Sequence, residues 1–224
     1  MSQQRDLPRL ERGKDLSRIF AFTDGVFAIA ITLLVLQIEV PVGVADDSSL
    51  WEALREEGPD LLAFGLSFLV IGMYWVGSHR FMRTVEEYDA GLMKITLIYL
   101  AFVVLVPFTS QLMGEYAGTA PTSMSIYILN LVCVALVSAW MQKHVLRAKL
   151  GKPEYDWDTE LNMKSSLFTA GLMLATAPCA LLLGPYTPFL WFFLRFDPYE
   201  RQREKVYADA DDAATESKSG RRPA

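Results

Sequence analysis

The sequence predicts an all-α integral membrane protein, a bundle of about six transmembrane helices with both termini in the cytoplasm. Hydrophobic residues make up 52% of the 224 residues, and the mean hydropathy is positive. The apolar residues form nearly uninterrupted stretches and leave the charges to the gaps between them. A soluble helix would need a polar outward face, so burial in lipid explains this distribution better.

Six apolar segments follow one another along the chain. The first five approach the length of about 20 residues that spans a membrane, whereas the sixth is short. Only Gly184 and Pro185 separate the last two, which predicts a helical hairpin with a tight outer turn. Five helices with a re-entrant end are the alternative. The segments are Phe20 to Ile38, Leu61 to Gly77, Ile95 to Met113, Met124 to Met141, Leu167 to Leu183 and Tyr186 to Phe196.

The charges in the loops predict the orientation. Lysine and arginine cluster within residues 5–18, 80–83, 143–152 and 195–205, which flank alternate ends of the segments. The other loops are acidic or uncharged. Because basic loops stay in the cytoplasm, only an even number of crossings places both termini there, which supports six spans independently of hydropathy.

These boundaries predict three parts: a cytoplasmic N-terminal segment (1–17), a six-helix transmembrane domain (18–200) and a disordered cytoplasmic tail (201–224). The polar start lacks a signal-peptide pattern, so we expect the first helix to be retained. The net charge of −5 reflects one acidic loop and the tail, and it indicates no nucleic-acid partner. No internal repeat is evident, so an oligomer would have to supply any symmetry.

Asp24 lies about a turn and a half inside the first apolar segment. An ionisable group at this depth normally faces protein and has a hydrogen-bonding partner. Trp75 and His79, four residues apart near the end of the second segment, share one helix face at the same predicted depth. The three side chains are therefore candidates for one polar cluster, either as a helix-packing anchor or as a functional site.

The first segment also carries an apolar stripe. Ile29, Thr32, Leu33 and Leu36 have helical spacing and share one face. Asp24 precedes Ile29 by five residues and therefore lies about 140° from it around the helix. The acid and the stripe thus point in different directions, and such a stripe on its own is most often ordinary packing.

Arg18, Phe22, Thr23, Asp24 and Gly25 resemble the RxxxFSDG signature of the transmembrane protein 175 potassium-channel family in its single-repeat prokaryotic form. The following residues VFAIAITLLVL and the six-segment layout extend the resemblance over most of the chain. Thr23 replaces the usual serine of the signature and keeps its hydroxyl group. Because the hydroxyl is kept, we expect this difference to change the local packing and not the fold.

The resemblance implies a homotetramer whose first helices surround a central cation pathway without a TVGYG filter. It implies a hydrophobic constriction formed by Ile29 and Leu36, with Thr32 or Leu33 between them, and no cofactor besides the permeant potassium ion. It also implies that Asp24 packs with Trp75 and His79 away from the pore, as an anchor and not as an ion ligand. The residues leave open whether Thr32 or Leu33 faces the axis.

Acidic residues follow the stripe at its outer end. Glu39 comes directly after it, and Asp46 and Asp47 stand in the first outer loop. If four first helices surround an axis, Glu39 repeats around the outer mouth and attracts cations there. A solvated loop is the alternative interpretation.

We therefore predict a potassium-selective or potassium-preferring channel in the cell membrane, a lipid-embedded homo-oligomer that is not an enzyme. The sequence contains neither HExxH nor GxSxG. The alternative is a proton-coupled secondary transporter that uses Asp24 and His79 as a relay, since such pairs occur on proton paths.

Overall fold

The computed structural model describes residues 9–116, 119–183, 187, 190, 197–203 and 205–207, with no account of the side chains of 9–15 and 180–183. Long helices joined by short loops form most of this part of the chain. The elements are α1 (Arg9–Leu33), a 3-10 helix (Leu34–Gln37), α2 (Asp47–Glu56), α3 (Gly58–Thr84), α4 (Ala90–Tyr116), α5 (Thr122–Ala148), a second 3-10 helix (Pro153–Tyr155) and α6 (Asp156–Leu183).

Four described helices are long and apolar enough to cross a membrane, and they contain the first four predicted segments. A helix of 27 residues, such as α3, is about 40 Å long and exceeds the hydrocarbon thickness of about 30 Å. An all-α membrane fold is thereby confirmed. The spans are Leu16–Gln37, Gly58–Thr84, Ala90–Tyr116 and Thr122–Ala148.

Of the two remaining predicted segments, one lies within the described residues and the other lies mostly outside them. The fifth, Leu167 to Leu183, lies within α6. The sixth, Tyr186 to Phe196, and the turn at Gly184 and Pro185 lie outside the described residues except for residues 187 and 190. The count of six spans therefore stays a prediction.

Helix α2, in the loop between α1 and α3, is an element that hydropathy did not predict. Asp46 caps its N-terminus: the Ser49 amide donates to Asp46 Oδ1 at 2.8 Å, and the Ser49 hydroxyl accepts from the Asp46 amide. Leu50, Trp51 and Leu54 are exposed on this helix. Four apolar residues in ten give too weak a signal for a spanning segment, and Asp46 acts as a helix cap.

Helices α3, α4 and α5 form the core together with one face of α1 and with α6, which packs against α5. At its centre, Ser67 Oγ lies 2.7 Å from Ser110 Oγ and 2.9 Å from the Tyr127 hydroxyl. Ser110 also donates to the Ala63 carbonyl at 3.3 Å. Lipid offers no partner to a hydroxyl group, so these side chains satisfy one another across three helices.

The loops after α3 and after α5 lie on the same side of the bundle. The amides of Glu86 and Glu87 donate to the Leu150 carbonyl at 2.8 and 2.9 Å, and the Lys152 amide donates to the Thr84 carbonyl at 2.8 Å. Both loops are among those predicted to be cytoplasmic from their basic residues. Their contact agrees with the predicted alternation of the loops.

The predicted terminal parts differ from the structure at their boundaries. Helix α1 begins at Arg9, so the predicted N-terminal segment (1–17) is helical from that residue on. Residues 201–203 and 205–207 are helical as well, although the tail (201–224) is predicted to be disordered. Residues 208–224 lie outside the described part of the chain.

An arginine attaches the start of this tail to α6. Arg203 donates to Asn162 Oδ1, lies 3.8 Å from Asp158 Oδ1 and pairs with Glu200 at 3.1 Å. Burial raises the pKa of Asp158, and the neighbouring Arg203 guanidinium opposes this rise. A polar tract was expected to be disordered because it has few apolar residues, but charge pairing holds its first residues in place.

The central hydroxyl cluster provides a test of the packing. We expect Ser67→Ala to lower the melting temperature in detergent by several degrees, because it deprives two buried hydroxyls of a partner at a cost of about 1–2 kcal/mol. Thermal unfolding of the purified protein measures this change. Ser125→Ala on α5, where the partly buried hydroxyl has no bond to the described residues, is the control. Equal melting temperatures for both variants would contradict the assigned role.

Candidate functional site

Helix α1 has one buried face. Leu16, Thr23, Phe27 and Ala30, together with Leu34 in the following 3-10 helix, are at most 9% exposed. They follow one another at intervals of seven, four, three and four residues, which keeps them on one side of the helix. This face packs against α3 and α4, where the ring of Phe27 lies 6.0 Å from that of Tyr99.

The opposite face of α1 is apolar and exposed. Ile29 is 60% exposed and Leu36 is 76% exposed, and the neighbouring Thr32 and Leu33 are exposed as well. Because this part of α1 has the length and hydropathy of a membrane span, lipid or another protein chain must cover these side chains. All four predicted constriction residues thus lie outside the subunit's own core.

Thr32 and Leu33 differ in their direction relative to that core. Thr32 lies about 180° from Thr23 and about 140° from Phe27 around the helix, whereas Leu33 lies only about 60° from Ala30. The Thr32 hydroxyl is 2.9 Å from the carbonyl oxygens of both Ala28 and Ile29. Its hydrogen is therefore engaged within the helix, and its oxygen can still accept a hydrogen bond or contact a cation.

Asp24 lies at the edge between the two faces of α1 and contacts α3. Trp75 Nε1 donates a hydrogen bond of 3.0 Å to Asp24 Oδ1. The ring of His79 lies 5.6 Å from the ring of Trp75, with an angle of 32° between the planes. His79 makes no hydrogen bond to Asp24 in the described part of the structure, so the indole connects the two side chains.

A small cavity lies behind Asp24, between α1 and α3. It has a volume of about 80 Å³, and its lining includes Thr23, Asp24, Ser78 and His79. The hydroxyls of Thr23 and Ser78 are buried and have no partner in the described residues. A cavity of this size has room for a water molecule that would hydrogen-bond to both hydroxyls.

The other signature residues, Arg18, Phe22 and Gly25, are not buried as Thr23 is. Phe22 is 54% exposed, and Arg18 is exposed one turn before it. A Cβ atom added at Gly25 would meet nothing within 4 Å, so packing inside the subunit does not require glycine there. These three residues lie on exposed parts of α1, where a partner chain or lipid would contact them.

Acidic residues from three elements come together at the end of the bundle that follows the 3-10 helix Leu34–Gln37. Glu39 is exposed beyond the 3-10 helix, and the carboxylates of Glu39 and Glu115 repel that of Asp60 in the first turn of α3. A Cβ atom at Gly114 would lie 2.1 Å from Asp60 Oδ1, so this glycine leaves the space that Asp60 occupies. The negative potential near Glu39 therefore includes residues beyond those predicted.

Comparison with known proteins identifies relatives. A family profile described as endosomal/lysosomal potassium channel TMEM175 matches residues 18–107. A potassium channel of Streptomyces collinus is 38% identical over 133 residues, which are 58% of this chain and 64% of that protein. A potassium channel of Chamaesiphon minutus is 37% identical over 137 residues, 60% of this chain and 68% of that protein. The chain belongs to the TMEM175 family.

A solved structure extends the TMEM175 likeness beyond the matched residues. The crystal structure of a lysosomal potassium-selective channel TMEM175 homologue from Chamaesiphon minutus superposes with a TM-score of 0.70 at 29% identity. The superposition covers 83% of this chain and 99% of that one. A chicken relative named endosomal/lysosomal proton channel TMEM175 is 39% identical over 107 residues, which are 21% of its length.

Membership of the TMEM175 family confirms the resemblance predicted from the signature. It also confirms that the chain is a multi-pass membrane protein of a channel family and not an enzyme. The alignment spans a little under two thirds of the Streptomyces protein. The roles of Ile29, Thr32, Leu33, Leu36 and Glu39 stay predictions within this family assignment.

One polar pair in this TMEM175 chain had no predicted role. His144 Nε2 on α5 lies 3.0 Å from both carboxylate oxygens of Asp89, and the Leu92 amide donates to Asp89 Oδ1 at 2.6 Å. Burial acts to raise the pKa of Asp89, but these bonds outweigh it and hold that pKa below its usual range. A Cβ atom at Gly91 would lie 2.8 Å from the His144 ring, so Gly91 permits the contact.

The sequence contained only part of the signal for this pair. Asp89 stands three residues before the amide that it accepts from, at the N-terminus of a helix, which is the usual pattern of a helix cap. The histidine lies 55 residues further along the chain. Its partner depends on how α4 and α5 pack, which hydropathy does not predict.

The bond between Trp75 and Asp24 provides a test of the predicted anchor. We expect Trp75→Phe to lower the oligomer fraction or the melting temperature by an amount equivalent to about 1–2 kcal/mol, because the carboxylate loses its donor near the membrane. Size-exclusion chromatography and thermal unfolding measure both. Trp140→Phe on α5 is the control, since that indole is half-exposed and makes no hydrogen bond to the described residues. Indistinguishable variants would remove the anchor role.

Proposed function

We propose that this chain forms a potassium-selective or potassium-preferring channel, a homotetramer of six-span subunits with cytoplasmic termini, in which the four copies of α1 surround the pore. The exposed apolar face of α1, opposite its buried face, is the observation that carries the proposal. The bacterial relatives named as potassium channels support the choice of ion. The chain contains no TVGYG sequence, so selectivity must come from other groups.

Ile29 and Leu36 form the proposed constriction. Four copies of a branched apolar side chain around a narrow axis exclude water, and an ion crosses such a ring only at the cost of part of its hydration shell. Potassium loses its hydration shell more readily than sodium, because the larger ion holds its water molecules less tightly. An apolar ring therefore discriminates between the two ions even without a fixed binding site.

Thr32 is the better candidate for the ring between them. Its direction away from Thr23 and Phe27 favours it over Leu33, which lies closer to the buried face. Its hydroxyl hydrogen is already engaged by backbone carbonyls at 2.9 Å, so the oxygen offers lone pairs to a passing cation. Four such oxygens would replace some of the water that the apolar rings remove.

Asp24 has a structural role in this proposal. Its angle of about 140° from Ile29 turns it away from the constriction. Trp75 occupies one of its carboxylate oxygens. A fixed neighbouring donor lowers the tendency of a carboxylate to bind a passing ion, and it attaches α1 to α3 near the cytoplasmic end.

A proton-coupled secondary transporter that uses Asp24 and His79 as a relay is the alternative. Both side chains are exposed on the subunit surface, so protons can reach them. The relay would need a direct or water-mediated contact; Asp24 and His79 make no direct hydrogen bond in the described residues and share only the lining of the cavity of about 80 Å³, whereas Asp24 is bonded to Trp75. This arrangement favours the anchor over the relay.

Ion flux tests the channel and its constriction. We expect purified protein in liposomes to carry potassium down its gradient without a proton gradient. Ile29→Ala and Leu36→Ala should raise sodium permeation relative to potassium by about tenfold, because a wider and wetter neck no longer strips water from the ion. Leu129→Ala on α5, an exposed leucine outside α1, is the control and should leave the ratio unchanged.

Two results of this experiment would overturn the proposal. Flux that requires a proton gradient would favour the transporter. Loss of flux in a properly assembled Asp24→Asn protein would show that Asp24 takes part in transport. A crosslink between subunits through Ile29→Cys supports the pore-facing position, and its absence in an intact oligomer contradicts it.

Glu39 at the outer end provides an independent prediction. We expect Glu39→Gln to reduce potassium conductance at low salt and to have little effect at about 1 M salt, where the screening length is only about 3 Å. Single-channel recording at both ionic strengths measures this. Glu154→Gln, an exposed acid in the 3-10 helix before α6, is the control. A reduction that persists at high salt would indicate a direct ion-binding site at Glu39.

A further inference from the structure

The outer end of α1 changes its helical form where the proposed constriction ends. Residues Leu34–Gln37 form a 3-10 helix, and Ile38 continues with extended backbone angles of φ −87° and ψ 115°. Leu36, the outermost constriction residue, lies inside this 3-10 helix. A 3-10 helix turns by about 120° per residue instead of about 100°, so the point of the change decides where Leu36 is directed.

Two contacts hold this short element against the subunit. Leu34 is fully buried in the core, which fixes its first residue. At its last residue, Gln37 Nε2 donates a hydrogen bond of 2.5 Å to the carbonyl oxygen of Pro107 on α4. Between them, Val35 and Leu36 are 52% and 76% exposed, so the subunit itself does not hold their side chains.

The acceptor on α4 suits this contact. Pro107 is buried within α4, and its carbonyl oxygen has a second lone pair besides any that the helix uses. Gln37 is the one amide side chain between Thr32 and Glu39, and no acidic or basic side chain lies on α1 between Asp24 and Gln37.

We propose that Gln37 is a positioning residue that fixes the rotation of the 3-10 helix and thereby directs the four Leu36 side chains into the outer ring of the constriction. This inference rests on the proposed channel function and names the residue that shapes its outer ring. Packing of Leu34 holds the first residue of the element against the core, and the directional hydrogen bond of Gln37 holds the last, so this bond constrains the turn that contains Leu36.

The test replaces Gln37 with methionine, which has nearly the same length but no donor. In liposomes, we expect Gln37→Met to assemble normally and to lower the potassium-to-sodium permeability ratio about two- to tenfold, the range to which one hydrogen bond of ordinary strength corresponds. Gln37→Asn, whose shorter side chain does not reach Pro107, should act in the same direction. Gln111→Met, an exposed glutamine at the same end of α4, should leave the ratio unchanged.

A second experiment uses cysteine reactivity to measure the orientation of residue 36 and does not depend on ion flux. In a background with Cys133→Ala and Cys179→Ala, Leu36→Cys should form disulfides between subunits or react with a charged thiol reagent at a rate that changes several-fold when Gln37→Met is added. If the native protein carries no potassium, the channel proposal fails, while this cysteine experiment still tests the positioning role.

Two outcomes would overturn the positioning role of Gln37. One is a native channel in which Gln37→Met changes neither the permeability ratio nor the reactivity of Leu36→Cys. The other is a loss of thermal stability in both Gln37 variants with an unchanged permeability ratio in the assembled fraction. The second result would show that the bond only stabilises the fold.

Discussion

The lack of water in the hydrocarbon core decides where each polar side chain of this protein can lie. Ser67, Ser110 and Tyr127 bond to one another between three helices, and Trp75 donates to Asp24 between α3 and α1. Each of these contacts joins two helices that apolar packing alone would leave free to slide or rotate. Although these polar groups are few, their hydrogen bonds are directional and therefore constrain the relative rotation of the helices.

The two faces of α1 follow from this constraint. One face packs into the core through Phe27 and Ala30, and the other presents Ile29 and Leu36 outward. Asp24 is held aside by Trp75, so the charge of the signature and the apolar constriction coexist on one helix. This separation is what lets an uncharged surface line the proposed pore.

Hydropathy and charge predicted the parts of the fold that depend on composition. The first four spans agree with α1, α3, α4 and α5, because a membrane segment must be apolar along its whole length. Short elements and side-chain pairs were not predictable in this way. Helix α2 has too few apolar residues, and the partners of His144 and Gln37 lie 55 and 70 residues away in the chain. Such pairs depend on helix rotation; the contact of Asp24 with α3 was expected because Trp75 and His79 lie at the same predicted depth, and the family signature indicated it as well.

The ends of α1 are held by different partners, and this has a consequence for the proposed pore. Asp24 bonds to α3 near one end of the span, and Gln37 bonds to α4 at the other. Between these points Phe27, Ala30 and Leu34 pack into the core. In the proposed channel, the two hydrogen bonds add directional constraints on both sides of the stretch that carries Ile29 and Leu36. Residues that never touch an ion can in this way determine the width of a ring that contains no polar atom.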